Sequence, residues 1–354
     1  MMLRTAKPYV FITLGIVLLG AACVAAAEPN AASAKPDPFQ INKLLGRGVN
    51  LGNALEAPSE GEWGVVLKEE YFSIIKQAGF NSVRLPVRWS GHALAEKPYT
   101  INPEFFKRVD WAIKNALKND LYVMLNIQQY GELTADPNAH HFERFIALWQ
   151  QIAEHYKDYP DSVVLELYNE PYKALTPELW NDLLKKTLPV IRKSNPDRTL
   201  VIEPTIIIDP AFVVCLDKLD IPKEERNVIV SIHYYTPLEF THQGAPWMGA
   251  RSAAWVGTKW TGTDAEKKVV TDFFDAAAAW GKQNNRPINL GEFGTYKKID
   301  TEYRAKWAKF VADTAAERGM SLLCWDFCAE FGLYDRDTKS WNKPLLDAII
   351  PPKQ

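Results

Sequence analysis

Short apolar runs alternate with longer amphipathic stretches from residue 48 to residue 325. Read as buried strands, the runs are Gly48–Leu51, Ser82–Val87, Leu121–Ile127, Val163–Leu167, Thr199–Ile202, Val228–Ile232, Pro287–Leu290 and Met320–Trp325. Between them, helical spacing marks Glu69–Ala78, Pro103–Asn119, Phe142–Tyr156, Pro177–Lys193, Ala265–Gln283 and Glu302–Arg318. Within Pro103–Asn119, Phe106, Val109, Ile113, Ala116 and Leu117 share one helix face. Gly79 and Gly319 stand where a helix ends on a left-handed residue. The fifth helix is the weak element, because Pro210 and Pro222 interrupt Asp209–Lys223. Eight strands alternating with helices predict an α/β fold, a single-domain (β/α)8 TIM barrel. An open doubly wound sheet would place a Gly-rich phosphate loop after a strand, and no such loop occurs.

The ends of the chain read differently. Arg4 and Lys7 precede an apolar stretch from Tyr9 to Leu19, and Ala25-Ala26-Ala27 is a small-residue cleavage site. Residues 1–27 are therefore expected to be a signal peptide, which makes the protein secreted or periplasmic. The apolar stretch is shorter than the roughly 20 residues a membrane span needs, so no stable membrane insertion is expected. A lipoprotein anchored through Cys23 is the minor alternative. Residues 28–40, rich in Ala and Pro at their start, are expected to be a flexible lead-in, with the catalytic domain at 41–354. Removing Arg4 and Lys7 takes the net charge from −2 to −4, and no basic block remains to bind nucleic acid. Cys215, Cys324 and Cys328 are left after cleavage, and an odd number argues against a disulfide framework.

A barrel presents its chemistry at the C-terminal ends of its strands. In strand order, the polar or aromatic exits are Asn50 and Asn53, then Arg84, then Asn126, Gln128 and Gln129. Asn169 and Glu170, Glu203, His233 and Tyr235, Glu292, and Trp325 follow. Two glutamates, Glu170 and Glu292, each end an apolar run. Such a pair across one barrel mouth is what glycoside hydrolysis requires: an acid for the leaving oxygen and a carboxylate to attack or activate water. Glu166 shares the two-residue phase of Glu170 and should lie deeper, as a partner for a cation such as Arg84. Glu203 ends a strand and has two open readings, a cleft carboxylate or a rim hydrogen-bonding group. Six scattered histidines show neither H-x-H nor H-E-x-x-H spacing, so no metal is expected.

Six motifs then occur in order: Arg47-Gly48-Val49-Asn50-Leu51-Gly52-Asn53, Val83-Arg84-Leu85-Pro86, Tyr168-Asn169-Glu170-Pro171, His233-Tyr234-Tyr235, Phe240-Thr241-His242-Gln243-Gly244-Ala245 and Gly291-Glu292-Phe293-Gly294. From about Leu45 to Trp341 the chain resembles glycoside hydrolase family 5, and most closely its bacterial endo-β-1,4-glucanases (cellulases). The resemblance implies a retaining enzyme that needs no cofactor and takes a β-glucan polysaccharide or oligosaccharide. It implies Glu170 as acid/base and Glu292 as nucleophile, with Arg84 and Tyr235 as donors to Glu292. It also implies Asn169 at the sugar 2-hydroxyl, His233 beside the acid/base, and Trp325 as stacking floor. Asn50, Gln128, Gln129, Trp255 and Trp260 complete the expected substrate contacts, and a monomer is expected. Trp111 and Trp149 fall within helices and are expected in the core.

Two segments depart from the family pattern. Gln128-Gln129 stands where a His pair is usual, which puts glycone binding and the exact substrate in question. Ile202-Glu203-Pro204-Thr205 replaces a segment that usually bears Gly and Trp. Another β-glycan (mannan, xyloglucan or β-1,3-glucan) is the alternative substrate. A carbohydrate-binding barrel with impaired catalysis is the alternative function.

Overall fold

The computed structural model describes residues 37–208 and 212–352. Eight strands close into a barrel: β1 (Arg47–Asn50), β2 (Ser82–Leu85), β3 (Tyr122–Asn126), β4 (Val163–Glu166), β5 (Leu200–Ile202), β6 (Val228–Tyr234), β7 (Ile288–Phe293) and β8 (Ser321–Cys324). Neighbours pair in parallel all the way round, with β8 returning to β1. Every residue in β2 to β8 is buried except Tyr122, which is why these strands read as near-continuous apolar runs.

The two faces of the strands feed two cores. Outward residues such as Val83, Leu125, Leu165 and Leu290 pack against the helices Pro103–Lys118, Ala139–Tyr156, Pro177–Ser194 and Thr301–Glu317 and join one large cluster. Met124, Val164, Val201, Ile229 and Leu323 point inward and form a second, fully buried cluster. Two residues further along β3, β4 and β6, on the same inward face, come Asn126, Glu166 and Ser231, and beyond β5 comes Glu203. The barrel interior thus turns from apolar to polar toward its C-terminal mouth, and that change positions the site.

Three parts of the chain differ from the pattern-based reading. The described chain is already helical at Pro38 within Pro38–Leu45, three residues inside the expected flexible lead-in. Asp37 caps this helix by accepting the Gln40 N–H at 2.8 Å, and Ile41 and Leu45 close the inner core. Of the expected fifth helix Asp209–Lys223, residues 209–211 lie outside the described residues; the described part holds Val213–Val214, paired antiparallel with Ile206–Ile207, and a single turn at Leu216–Lys218. A C-terminal helix, Lys343–Ile349, packs on Thr301–Glu317 and carries no sequence signal longer than two turns. The expected signal peptide, residues 1–27, lies outside the described residues. Among the described residues no helix is long and apolar enough to cross a membrane. Cys215, Cys324 and Cys328 are free thiols.

Candidate active site

Arg84 organises the mouth of the barrel. Its guanidinium has five N–H bonds and directs them at five acceptors. These are Glu166 through Nε and Nη2 (2.6 and 2.7 Å), Asn169 through Nη2 (2.7 Å), and Asn50 and Glu292 through Nη1 (2.9 and 2.6 Å). Arg84 and Glu166 are both wholly buried. Burial works to lower the guanidinium, but Glu166 and Glu292 outweigh it and hold the charge. Burial likewise works to raise Glu166, and the same guanidinium overrides it and keeps the carboxyl below its ordinary value. Glu166 is the deep partner that the two-residue phase predicts.

A bulge places Glu292 against His233. The β6–β7 register runs Ile232 to Leu290 and then jumps to His233 opposite Glu292, passing over Gly291. A β-carbon at Gly291 would lie 2.3 Å from Ser231 Oγ and 3.0 Å from His233 Nε2, so glycine is required there. Glu292 accepts from the Tyr235 hydroxyl at 2.8 Å and from Arg84. Burial pushes its carboxyl up, while His233, Arg84 and the Tyr235 hydroxyl pull it back. Tyr235 itself is held well above its ordinary value by burial and by Glu292, and so remains a phenol that donates.

Glu170 sits at φ 45°, a left-handed conformation uncommon for a side-chain-bearing residue. Its Oε1 lies 2.7 Å from His233 Nδ1, and its backbone N–H donates to Glu203 Oε2 at 3.1 Å. One carboxylate oxygen of Glu170, one of Glu292 and a ring nitrogen of His233 lie within 4.8 Å of one another. Burial lowers His233, but Glu203, Glu292 and Glu170 together raise it well above the usual imidazole value. Glu166, Glu203 and His233 form a second such cluster. In both clusters the carboxylates already have protein partners: Arg84 for Glu166, Arg84 and Tyr235 for Glu292, the Glu170 backbone N–H for Glu203, and His233 for Glu170.

Above these groups opens a cleft of about 770 Å³. Asn169, Glu170, Tyr235, Glu292, Gln128, Gln129 and Trp325 line it, as the sequence leads one to expect. A β-carbon at Gly52 would lie 2.9 Å from the Trp325 indole, which therefore rests on bare backbone. Gln128 accepts a hydrogen bond from Asn126 Nδ2 at 2.9 Å and is nearly buried.

Three expected substrate contacts do not line the cleft. Asn50 is buried beneath it. Its amide donates to the Gly291, Leu323 and Cys324 carbonyls and its oxygen accepts from Arg84, which leaves its side chain committed within the barrel. Trp260 is 1% exposed and packs against Phe310, so it belongs to the core. Trp255 is half-buried beneath the Arg251 guanidinium, 5.4 Å from its ring. Trp63 and Trp247 line the cleft instead and are 40% and 50% exposed. Sequence reasoning missed Phe331, Ile208, Phe212 and Met248 on its walls. It also missed Glu56, whose carboxylate accepts the backbone N–H groups of Asn53 and Ala54. These lie in loops, where no periodicity marks direction.

Carboxylates facing each other at the C-terminal mouth of a (β/α)8 barrel, one of them held by a buried arginine and a tyrosine, define a glycoside hydrolase. The chain belongs to the Cellulase family, glycosyl hydrolase family 5, whose profile matches residues 46–331. It is similar to Endoglucanase H of Acetivibrio thermocellus, at 34% identity over 330 residues that cover 92% of this chain and 35% of that protein. The chain thus spans about a third of that relative's length. Thermotoga maritima Cel5A in complex with mannotriose is a structural relative at 52% identity and a TM-score of 0.85, covering 89% of this chain and 100% of that one. The same enzyme in complex with cellobiose matches at 51% identity and a TM-score of 0.85, with the same coverage.

Proposed function

We propose that this chain is a retaining endo-β-1,4-glucanase acting by double displacement. The observation that carries the reading is the approach of one carboxylate oxygen of Glu170 to within 4.8 Å of one of Glu292, with no room left for a water between the two groups on the inverting pattern. Retaining enzymes set their two carboxyl groups about 5–5.5 Å apart, whereas inverting ones leave roughly 6.5–9.5 Å for a water. Glu292 attacks the anomeric carbon, and Arg84 and Tyr235 orient it and stabilise its charge. Glu170 gives its proton to the departing glycosidic oxygen and later takes one from the attacking water. The amide nitrogen of Asn169 is left for the sugar 2-hydroxyl, since its oxygen already accepts from Arg84. Trp325 stacks under the apolar face of the sugar being cleaved. No step calls for a metal or an organic cofactor.

The catalytic domain is read as residues 41–354 extended back to the helix that begins at Pro38, acting as a monomer. The export signal at 1–27 would deliver it outside the cytoplasm. β-Mannan is the second substrate reading, favoured by the mannotriose complex of Thermotoga maritima Cel5A and by Gln128 and Gln129 in the cleft. Reducing-end release from carboxymethyl cellulose, barley β-glucan, xyloglucan, mannan and laminarin tests the choice. Cleavage of the first two is the expected result, and activity confined to mannan moves the substrate while keeping the mechanism. Proton NMR of the first product formed from cellotetraose should show the β-anomer. An initial α-product would contradict double displacement.

A further inference from the structure

Glu203 lies at the centre of the polar layer, yet the mechanism above leaves it unused. Arg84 does not account for it: all five guanidinium N–H bonds have acceptors at 2.9 Å or less, and Glu203 Oε1 stands off at 3.4 Å from Nη2. Its close contacts lead elsewhere. Oε2 accepts the backbone N–H of Glu170 at 3.1 Å. Oε1 faces His233 Nε2 at 3.2 Å, a buried nitrogen with no aligned hydrogen bond of its own. The other ring nitrogen, Nδ1, meets the Glu170 carboxyl at 2.7 Å. Two paths therefore run from Glu203 to Glu170, one to its main chain and one through the imidazole to its side chain. The main-chain path holds Glu170 at its left-handed φ of 45°.

We propose that Glu203 is a positioning residue for proton donation, clamping the acid/base Glu170 at both ends. The inference rests on the retaining-hydrolase reading above. Charge balance agrees with it. The ionisable groups facing Glu203 are Arg84, Glu166 and His233, with Glu292 and Glu170 beyond. Burial and Glu166 push Glu203 well up, against the opposing pull of His233. With Glu203 pushed up, the negative charge of this layer rests chiefly on Glu166 and Glu292, which face Arg84 and His233.

The test compares kcat/KM, which ends at formation of the glycosyl-enzyme, on two substrates. Cellotetraose needs a proton on its leaving oxygen, and 2,4-dinitrophenyl β-cellobioside does not. Glu203→Ala should lose about ten-fold or more on cellotetraose, a part of the roughly 10²–10⁴-fold that general acid catalysis supplies, and less than about three-fold on the activated glycoside. Glu203→Gln keeps the volume and an oxygen for the Glu170 N–H. It should show the same selectivity with a smaller loss, and it carries the test if the alanine variant does not fold. Equal losses on both substrates, or no loss on cellotetraose in either variant, would overturn the inference. A wild-type enzyme that cleaves neither substrate would overturn the glucanase reading together with it.

Discussion

Glu292→Gln should lower kcat on barley β-glucan by roughly 10⁴-fold or more, equivalent to about 5.5 kcal/mol of transition-state stabilisation. An amide cannot form the glycosyl ester, and neither of the neighbouring buried glutamates is placed to do so. Glu166 is wholly buried under Arg84, and Glu203 is turned toward His233 and the Glu170 backbone. Binding should survive. The glutamine keeps the side-chain volume and an oxygen for the Tyr235 hydroxyl or the Arg84 Nη1. Trp325, Trp247 and the rest of the cleft wall are untouched. Calorimetric titration with cellotetraose should give a Kd within about ten-fold of that for a slowly cleaved complex of the parent enzyme. Near-native turnover in this variant would mean that another group attacks, and the double-displacement assignment would fall.

The strands and most helices were legible because burial writes itself into composition. A strand packed on both faces must be apolar throughout, and the long helices repeat their apolar face every three or four residues. Arg84 and Glu166 could be paired from sequence because strand phase sets both inward. The bulge at Gly291 could not be read in that way. It breaks the two-residue alternation that sequence reasoning relies on, and yet it sets Glu292 beside His233. Asn50 illustrates the opposite case: a polar residue at a strand exit is expected to face sugar, but its amide satisfies three main-chain carbonyls inside the barrel. Trp260 shows that a tryptophan in a loop can be core when the loop folds back over a helix, here against Phe310. Direction in loops depends on turn geometry and distant neighbours, and no local pattern encodes either.

Arg84→Met should destabilise the fold by about 3–5 kcal/mol near neutral pH, because it strands buried carboxylates without their cation. The length of the methionine roughly preserves packing, so the loss should be electrostatic and therefore pH-dependent. In the parent protein Arg84 holds Glu166 below its ordinary value. That pairing contributes stability above the unfolded-state pKa, and it is lost as pH falls through the lower folded-state value. Without Arg84, burial acts on Glu166 against only the smaller pulls of Glu203 and His233, and raises it. The sign then reverses: the carboxyl favours the native state below its unfolded pKa and disfavours it progressively as pH rises. Glu203 and Glu292, already pushed up by burial, move in the same direction. Urea unfolding from about pH 7.5 down to about pH 4.5 should therefore show the gap between variant and parent closing as the medium becomes acidic. A gap that stays constant over that range would mean that Arg84 stabilises by filling space, and the carboxylates would need another explanation for their tolerance of burial.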